Sequence, residues 1–286
     1  MNIGVFLILN RQGSLEENLA LARDAGFSHA DLTYTHSGAA MMERSGLIPS
    51  VSLDANPFDI KRLFEKYGIG ISTVCAHAPL LEASSPARFG AAEIMKAVRF
   101  AAAIGVRDVI TTEFYANSEW SRRLTHEQRV CVAAEKLYEA SRMAADYGVK
   151  ICLEPHGPLT CSIRGLGDIL DLLGNPDSVG VNLDTGNCWL GGADPVEMAT
   201  VFKDRIYHIH WKDLGEEYAA KRGAIFGSGF STIELGTGVI DLEGVADALR
   251  DSPIIHNSTL EISGPPELLR ASAAHAKKLW ERTQKL

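Results

Sequence analysis

Four side chains that could share a cation close strand-like runs in the second half of the chain. They are Glu154 in ICLEPHG, Asp184 in VNLDTGN, His210 in HIHWKD and Glu261 in STLEIS. Each offers an oxygen or an imidazole nitrogen at the end of an otherwise apolar run. Two glutamates, one aspartate and one histidine suit a hard or borderline divalent cation, Mn²⁺, Mg²⁺ or Co²⁺, better than a structural zinc, which takes closed Cys/His sets. Electrostatics points the same way, because three carboxylates crowded together take up protons unless a cation neutralises them. Taken singly, each could instead cap a helix or make a surface salt bridge. In the run RIYHIHWKD, strand alternation puts His208, His210 and Lys212 on one face, with His208 one layer deeper than His210. That depth makes His208 a hydrogen-bonded support rather than a ligand.

The elements that must bring these groups together alternate along the chain. Strand-like runs occupy 2–9, 29–34, 70–76, 107–113, 149–154, 178–184, 205–211 and 256–262, with amphipathic stretches between them. One such stretch, SLEENLALARDAG, has Ser14 as N-cap and Gly26 as its stop, and a longer one is THEQRVCVAAEKLYEASRMAADYG. Eight βα alternations without a linker or a break in composition predict a single (β/α)₈ TIM barrel over residues 1–286, a fold that typically takes about 250 residues. A doubly wound open sheet is the alternative. In a barrel the active site lies at the C-terminal ends of the strands, where the four residues fall, on consecutive strands.

Composition narrows the partners. Hydrophobic residues make up 46% of the chain and the formal charge is −8, a balance that argues against a nucleic acid as partner, since phosphate backbones are held by clustered Lys and Arg. The five cysteines form no CxxC pair and read as reduced and mostly buried, which predicts a cytoplasmic protein. The apolar start MNIGVFLILNRQG reads as a first strand rather than a signal peptide. No apolar run approaches the roughly 20 residues that span a bilayer, so no membrane partner is expected. The sequence leaves room for a homo-oligomer.

The segments LEPHG, LDTGN, HIHWKD, GTGVIDL and TLEIS, in that order, resemble the xylose isomerase-like barrel superfamily, especially its sugar isomerase, epimerase and inosose dehydratase branches. The resemblance covers nearly the whole chain and is specific as a set. It implies one divalent metal, Mn²⁺ first, held by Glu154, Asp184, His210 and Glu261. The implied substrate is a small sugar or cyclitol. AHAPL around His77 also looks like the HAP segment of the endonuclease IV branch. That branch needs further histidines for its metal cluster, whereas strand four here ends in Thr111, Thr112 and Glu113. An abasic-site endonuclease is therefore the weaker reading.

In a site of this kind Glu154 and Glu261 would address opposite faces of a keto-sugar, one removing a proton beside the carbonyl and the other returning one through an enediolate. The result is an epimerase or isomerase. With a leaving hydroxyl β to the carbonyl, the same enolate gives a dehydratase or lyase. His77 reads as a substrate contact or as a buried structural histidine, and His156 as a proton donor or a plain loop residue. Asn187 stands where many relatives carry histidine; its amide can hold a substrate hydroxyl but cannot shuttle a proton. Lys212 either binds a substrate oxygen or pairs with a rim carboxylate. The glycine-rich segment 223–238, with Phe226, Phe230 and Ile233, reads as a lid over a neutral, bulky substrate. A barrel kept as a non-catalytic subunit would be missing a ligand, and none is missing.

Overall fold

A computed structural model describes residues 2–33, 35–36, 49–82, 89–113, 118–227 and 233–283. All eight expected strand runs become barrel strands: β1 Asn2–Phe6, β2 His29–Leu32, β3 Gly70–Cys75, β4 Asp108–Thr111, β5 Lys150–Leu153, β6 Val179–Asp184, β7 Ile206–Trp211 and β8 Asn257–Leu260. Each pairs in parallel with its neighbours in chain order, and β8 pairs with β1 to close the barrel. The open-sheet alternative therefore falls. The strands are buried on both faces, with every residue of β6 and β7 buried, which is why their sequences are apolar without a clean alternation.

Helix boundaries follow local chemistry. Ser14 accepts from Glu17 N while the Glu17 carboxylate accepts from Ser14 N, a reciprocal cap that starts the helix Leu15–Asp24. Thr125 and Gln128 do the same for His126–Tyr147, which ends at Gly148 with φ +67°. Asp241 caps Leu242–Ala248 through Gly244 N, as its place after GTGVI suggests. One large apolar layer lies between strands and helices, and a second, smaller cluster of Phe6, Ile8, Cys75, Ile110, Cys152 and Tyr207 fills the barrel interior. Four of the cysteines, Cys75, Cys152, Cys161 and Cys188, are buried, and Cys131 is exposed.

Some elements escape sequence reading. After β2 a two-residue strand, Thr35–His36, pairs with Val51–Ser52 outside the barrel. Short helices at Glu119–Arg123 and Thr185–Leu190 follow too few residues to show a period. Among the described residues no helix is long and apolar enough to cross a membrane.

Candidate metal centre

Strand register places the four residues side by side. Asp184 on β6 is the register partner of His210 on β7, and Thr259 on β8 is the partner of the same histidine. One residue past their strands, Glu154 N donates to Thr111 O at 2.8 Å and Glu261 N donates to Trp211 O at 3.0 Å, so both glutamates continue the ladder pattern. Ligand atoms of Glu154, Asp184, His210 and Glu261 all lie within 4.8 Å of one another, and all four residues are buried. His210 Nδ1 sits 3.3 Å from Glu261 Oε2, 3.7 Å from Glu154 Oε1 and 3.9 Å from Asp184 Oδ2. It is buried and makes no hydrogen bond, which is costly for a ring nitrogen unless a cation or a proton fills the gap.

The neighbours close in on this cluster. His77 Nε2 lies 2.8 Å from Glu154 Oε2, and His156 Nε2 lies 3.1 Å from Glu154 Oε1. The Asn187 amide donates to Glu154 Oε1 at 3.1 Å and accepts from Lys212 Nζ at 3.1 Å. Lys212 reaches Glu261 Oε1 at 2.7 Å and Asp184 Oδ2 at 2.9 Å. Its alternative reading as the partner of a rim carboxylate thus holds twice over, and Asn187 ties the Glu154 side of the cluster to the Lys212 side. A Cβ on Gly186 would sit 2.5 Å from Lys212 Cδ, so the glycine of LDTGN clears the path of the lysine stem.

Charges explain the protonation of the group. Three carboxylates less one ammonium leave two negative charges among Glu154, Asp184, Glu261 and Lys212. Burial, opposed by Lys212 and reinforced by Glu261 and Glu154, pushes Asp184 up to about 7. Burial would lower His210, but Asp31, Glu154 and Glu261 hold it well above the ordinary histidine range. Burial also works against Glu154, whose carboxyl is nevertheless held well below its usual range by His156 and His77. Protons thus do the neutralising where a cation would. One divalent ion matches the two negative charges, so the donor set and the electrostatics fit such an ion.

Two residues that the sequence reading passed over shape the site. Asp31, on β2, accepts from Ser72 Oγ at 2.5 Å and Thr259 Oγ1 at 2.9 Å and lies 2.8 Å from His210 Nε2. An acidic residue in the apolar run of FSHADLTY was the signal available. His208, one layer down as strand parity required, bonds Thr259 Oγ1 at 3.0 Å, and burial drops it to about 3. Asp213 accepts from the backbone N–H groups of Gly236, Gly238 and Ile240, fixing the far base of the glycine-rich segment. At its near end Gly227, with φ +63°, approaches His156 so closely that a Cβ would meet Nδ1 at 2.3 Å. Phe226 is half-buried there, while Phe230, the other aromatic of the expected lid, lies outside the described residues.

Glu113 also braces the pocket wall, accepting from Leu159 N at 2.7 Å and Thr160 N at 2.8 Å just beyond His156. Burial pushes it from 4.5 up to about 7, against the pull of those two N–H groups and of Arg129. The native chain therefore keeps a proton that the unfolded chain gives up near 4.5. The stability this proton supplies is complete below the unfolded value and is lost as pH rises through about 7. The expected loss is about 3 kcal/mol. Urea unfolding from acid to mildly alkaline pH should show Glu113→Gln with a flatter profile than wild type. A wild-type-minus-variant difference that ignores pH would place Glu113 at its ordinary value.

Comparison with known proteins supports the architecture. A family model described as xylose isomerase-like TIM barrel matches residues 19–279. An inosose dehydratase of Lacticaseibacillus casei is 27% identical over 145 residues, 48% of this chain and 45% of that protein, so the chain matches under half of that relative's length. A 3-oxo-isoapionate decarboxylase of Pectobacterium atrosepticum is 23% identical over 248 residues, 79% of this chain and 86% of that protein. Among solved structures, that of an L-ribulose 3-epimerase has a TM-score of 0.73 at 18% identity, covering 99% of this chain and 95% of its own. The IOLI protein, solved with a bound zinc atom, has a TM-score of 0.72 at 17% identity over the full length of both chains. At such identities the structural likeness speaks for the fold alone.

Proposed function

The chain belongs to the xylose isomerase-like TIM barrel family, and from that premise we propose that it is a divalent-metal-dependent isomerase or epimerase of a sugar or keto-sugar. The observation that carries the reading is the convergence of Glu154, Asp184, His210 and Glu261 within 4.8 Å, with one charged lysine set among them. These four would hold the ion, Mn²⁺ first and Mg²⁺ or Co²⁺ next, as oxygen-rich donors favour. The chemistry such an ion supplies is Lewis acidity, which makes a C–H beside a polarised carbonyl easier to deprotonate.

The protein's own groups then divide the work. One of the two glutamates takes the proton from carbon, leaving an enediolate, and the other delivers a proton to the opposite face or to the adjacent carbon. The surroundings of the two differ: Glu154 is met by His77, His156 and Asn187, and Glu261 by Lys212. His77 and His156 are placed to hold or protonate substrate hydroxyls, Asn187 to hold one, and Lys212 to balance negative charge on an oxygen.

A second reading is favoured by the two imidazoles beside Glu154, since a histidine can protonate a departing hydroxyl. The enzyme is then a dehydratase or lyase, the kind of activity named for the inosose dehydratase and the decarboxylase. Incubating the Mn²⁺-loaded protein with ketoses, inososes and 3-keto-glycosides in deuterated water, followed by NMR, separates the two. An epimer or isomer carrying deuterium beside the carbonyl supports the first reading. Loss of water supports the second. Neither exchange nor product across the panel would count against both.

A further inference from the structure

We infer that Asp31 is a positioning residue that holds His210 in the one tautomer able to serve the four-residue cluster. The inference rests on the cation reading of that cluster. Asp31 lies on β2, and its sequence separation from His210 is 179 residues, so no motif connects them. Its Oδ1 accepts from Ser72 Oγ at 2.5 Å and from Thr259 Oγ1 at 2.9 Å. Thr259 has only one hydroxyl hydrogen and gives it to Asp31. The His208 Nε2 contact at 3.0 Å must then be His208 donating to the threonine oxygen. Each donor in this chain has one acceptor, and the direction of every bond is fixed by the carboxylate at its end.

The same logic sets His210. Asp31 Oδ2 can only accept, so at 2.8 Å it requires the hydrogen on His210 Nε2. The neutral ring then carries its lone pair on Nδ1, the buried atom that makes no hydrogen bond and faces Glu261, Glu154 and Asp184. A hydrogen on Nδ1 would point at the three carboxylates and bar the nitrogen from a cation. The substitution Asp31→Asn tests this without changing shape. The hydroxyls of Ser72 and Thr259 claim the amide oxygen, which turns the amide NH₂ towards His210 Nε2. That nitrogen must then accept, and the ring hydrogen moves to Nδ1.

The experiment compares wild type and Asp31→Asn for Co²⁺ affinity, by competition with a chromophoric chelator, and for the visible absorption of the bound ion. Tenfold to hundredfold weaker binding is expected in the variant, with altered absorption bands, as for other carboxylates that orient a histidine ligand. A loss of general stability alone would leave those bands unchanged. A second measurement does not depend on the variant folding: in the zinc-loaded wild type with ¹⁵N-labelled histidine, His210 should carry its hydrogen on Nε2. Wild-type binding with unchanged affinity and bands in Asp31→Asn, or the opposite tautomer, overturns the inference and leaves the cation site standing. Failure of the wild type to bind Co²⁺ removes the cation site, and the inference falls with it.

Discussion

Glu154→Gln and Glu261→Gln should each lower kcat by about 10² to 10⁴, the range general acid–base groups supply, while the protein keeps appreciable metal. An amide oxygen can still coordinate, but the group is no longer a base. The two changes are not equivalent in their surroundings. At Glu154 the carboxylate meets three polar side chains, His77, His156 and Asn187, and a glutamine NH₂ has to face one of them. At Glu261 the loss of charge leaves Lys212 with Asp184 as its remaining carboxylate. Turnover, metal content and deuterium incorporation would be followed together. A variant that washes deuterium into the carbon beside the carbonyl without forming product keeps the first base and lacks the second, which assigns the two roles. Near-normal turnover in both, with metal bound, would remove the two-carboxylate mechanism and leave His156 as the candidate base.

The second large effect concerns the ion itself. His210→Ala and Asp184→Ala each delete one of four donors, and occupancy measured by elemental analysis after dialysis should fall below about a tenth of wild type. In the wild type a chelator should abolish activity, with Mn²⁺, Co²⁺ or Mg²⁺ restoring it best. Removing Asp184 also frees Lys212 to pair with Glu261 alone, so no new unpaired ammonium obscures the result. Full metal occupancy in both variants would show that the ion sits elsewhere.

Much of this was legible in the chain because parallel strands advertise themselves as apolar runs and polar residues at their ends stand out against them. Glu154, Asp184, His210 and Glu261 stood out as a set on consecutive strand ends, and strand parity placed His208 below His210. Ser14 and Asp241 announced helix starts because capping is a local matter, settled within four residues. Asp31 was not legible, since it lies within a strand rather than at a rim, and its partner is set by barrel closure. The dual use of Asn187 was hidden as well. Its residue type excluded proton transfer, but only the fold shows one amide serving Glu154 and Lys212 at once. Lys212 carried two readings in the sequence; its pairing with two carboxylates, at 2.7 and 2.9 Å, is a matter of distances that no pattern encodes.

The bond between Asp31 and His210 crosses the seam where the last strand meets the first, since β1 and β8 stand between β2 and β7 in the closed ring. All four cluster residues lie on β5 to β8 or one residue beyond, so a half-barrel fragment cut between β4 and β5 would contain the whole donor set. It would still lack Asp31, and with it the contact that orients the histidine. Complementation by the separate β1–β4 fragment would have to rebuild two strand junctions, β4 with β5 and β8 with β1, before that contact could re-form. Assembly of the centre is thus tied to closure of the ring rather than to folding of the half that carries the ligands.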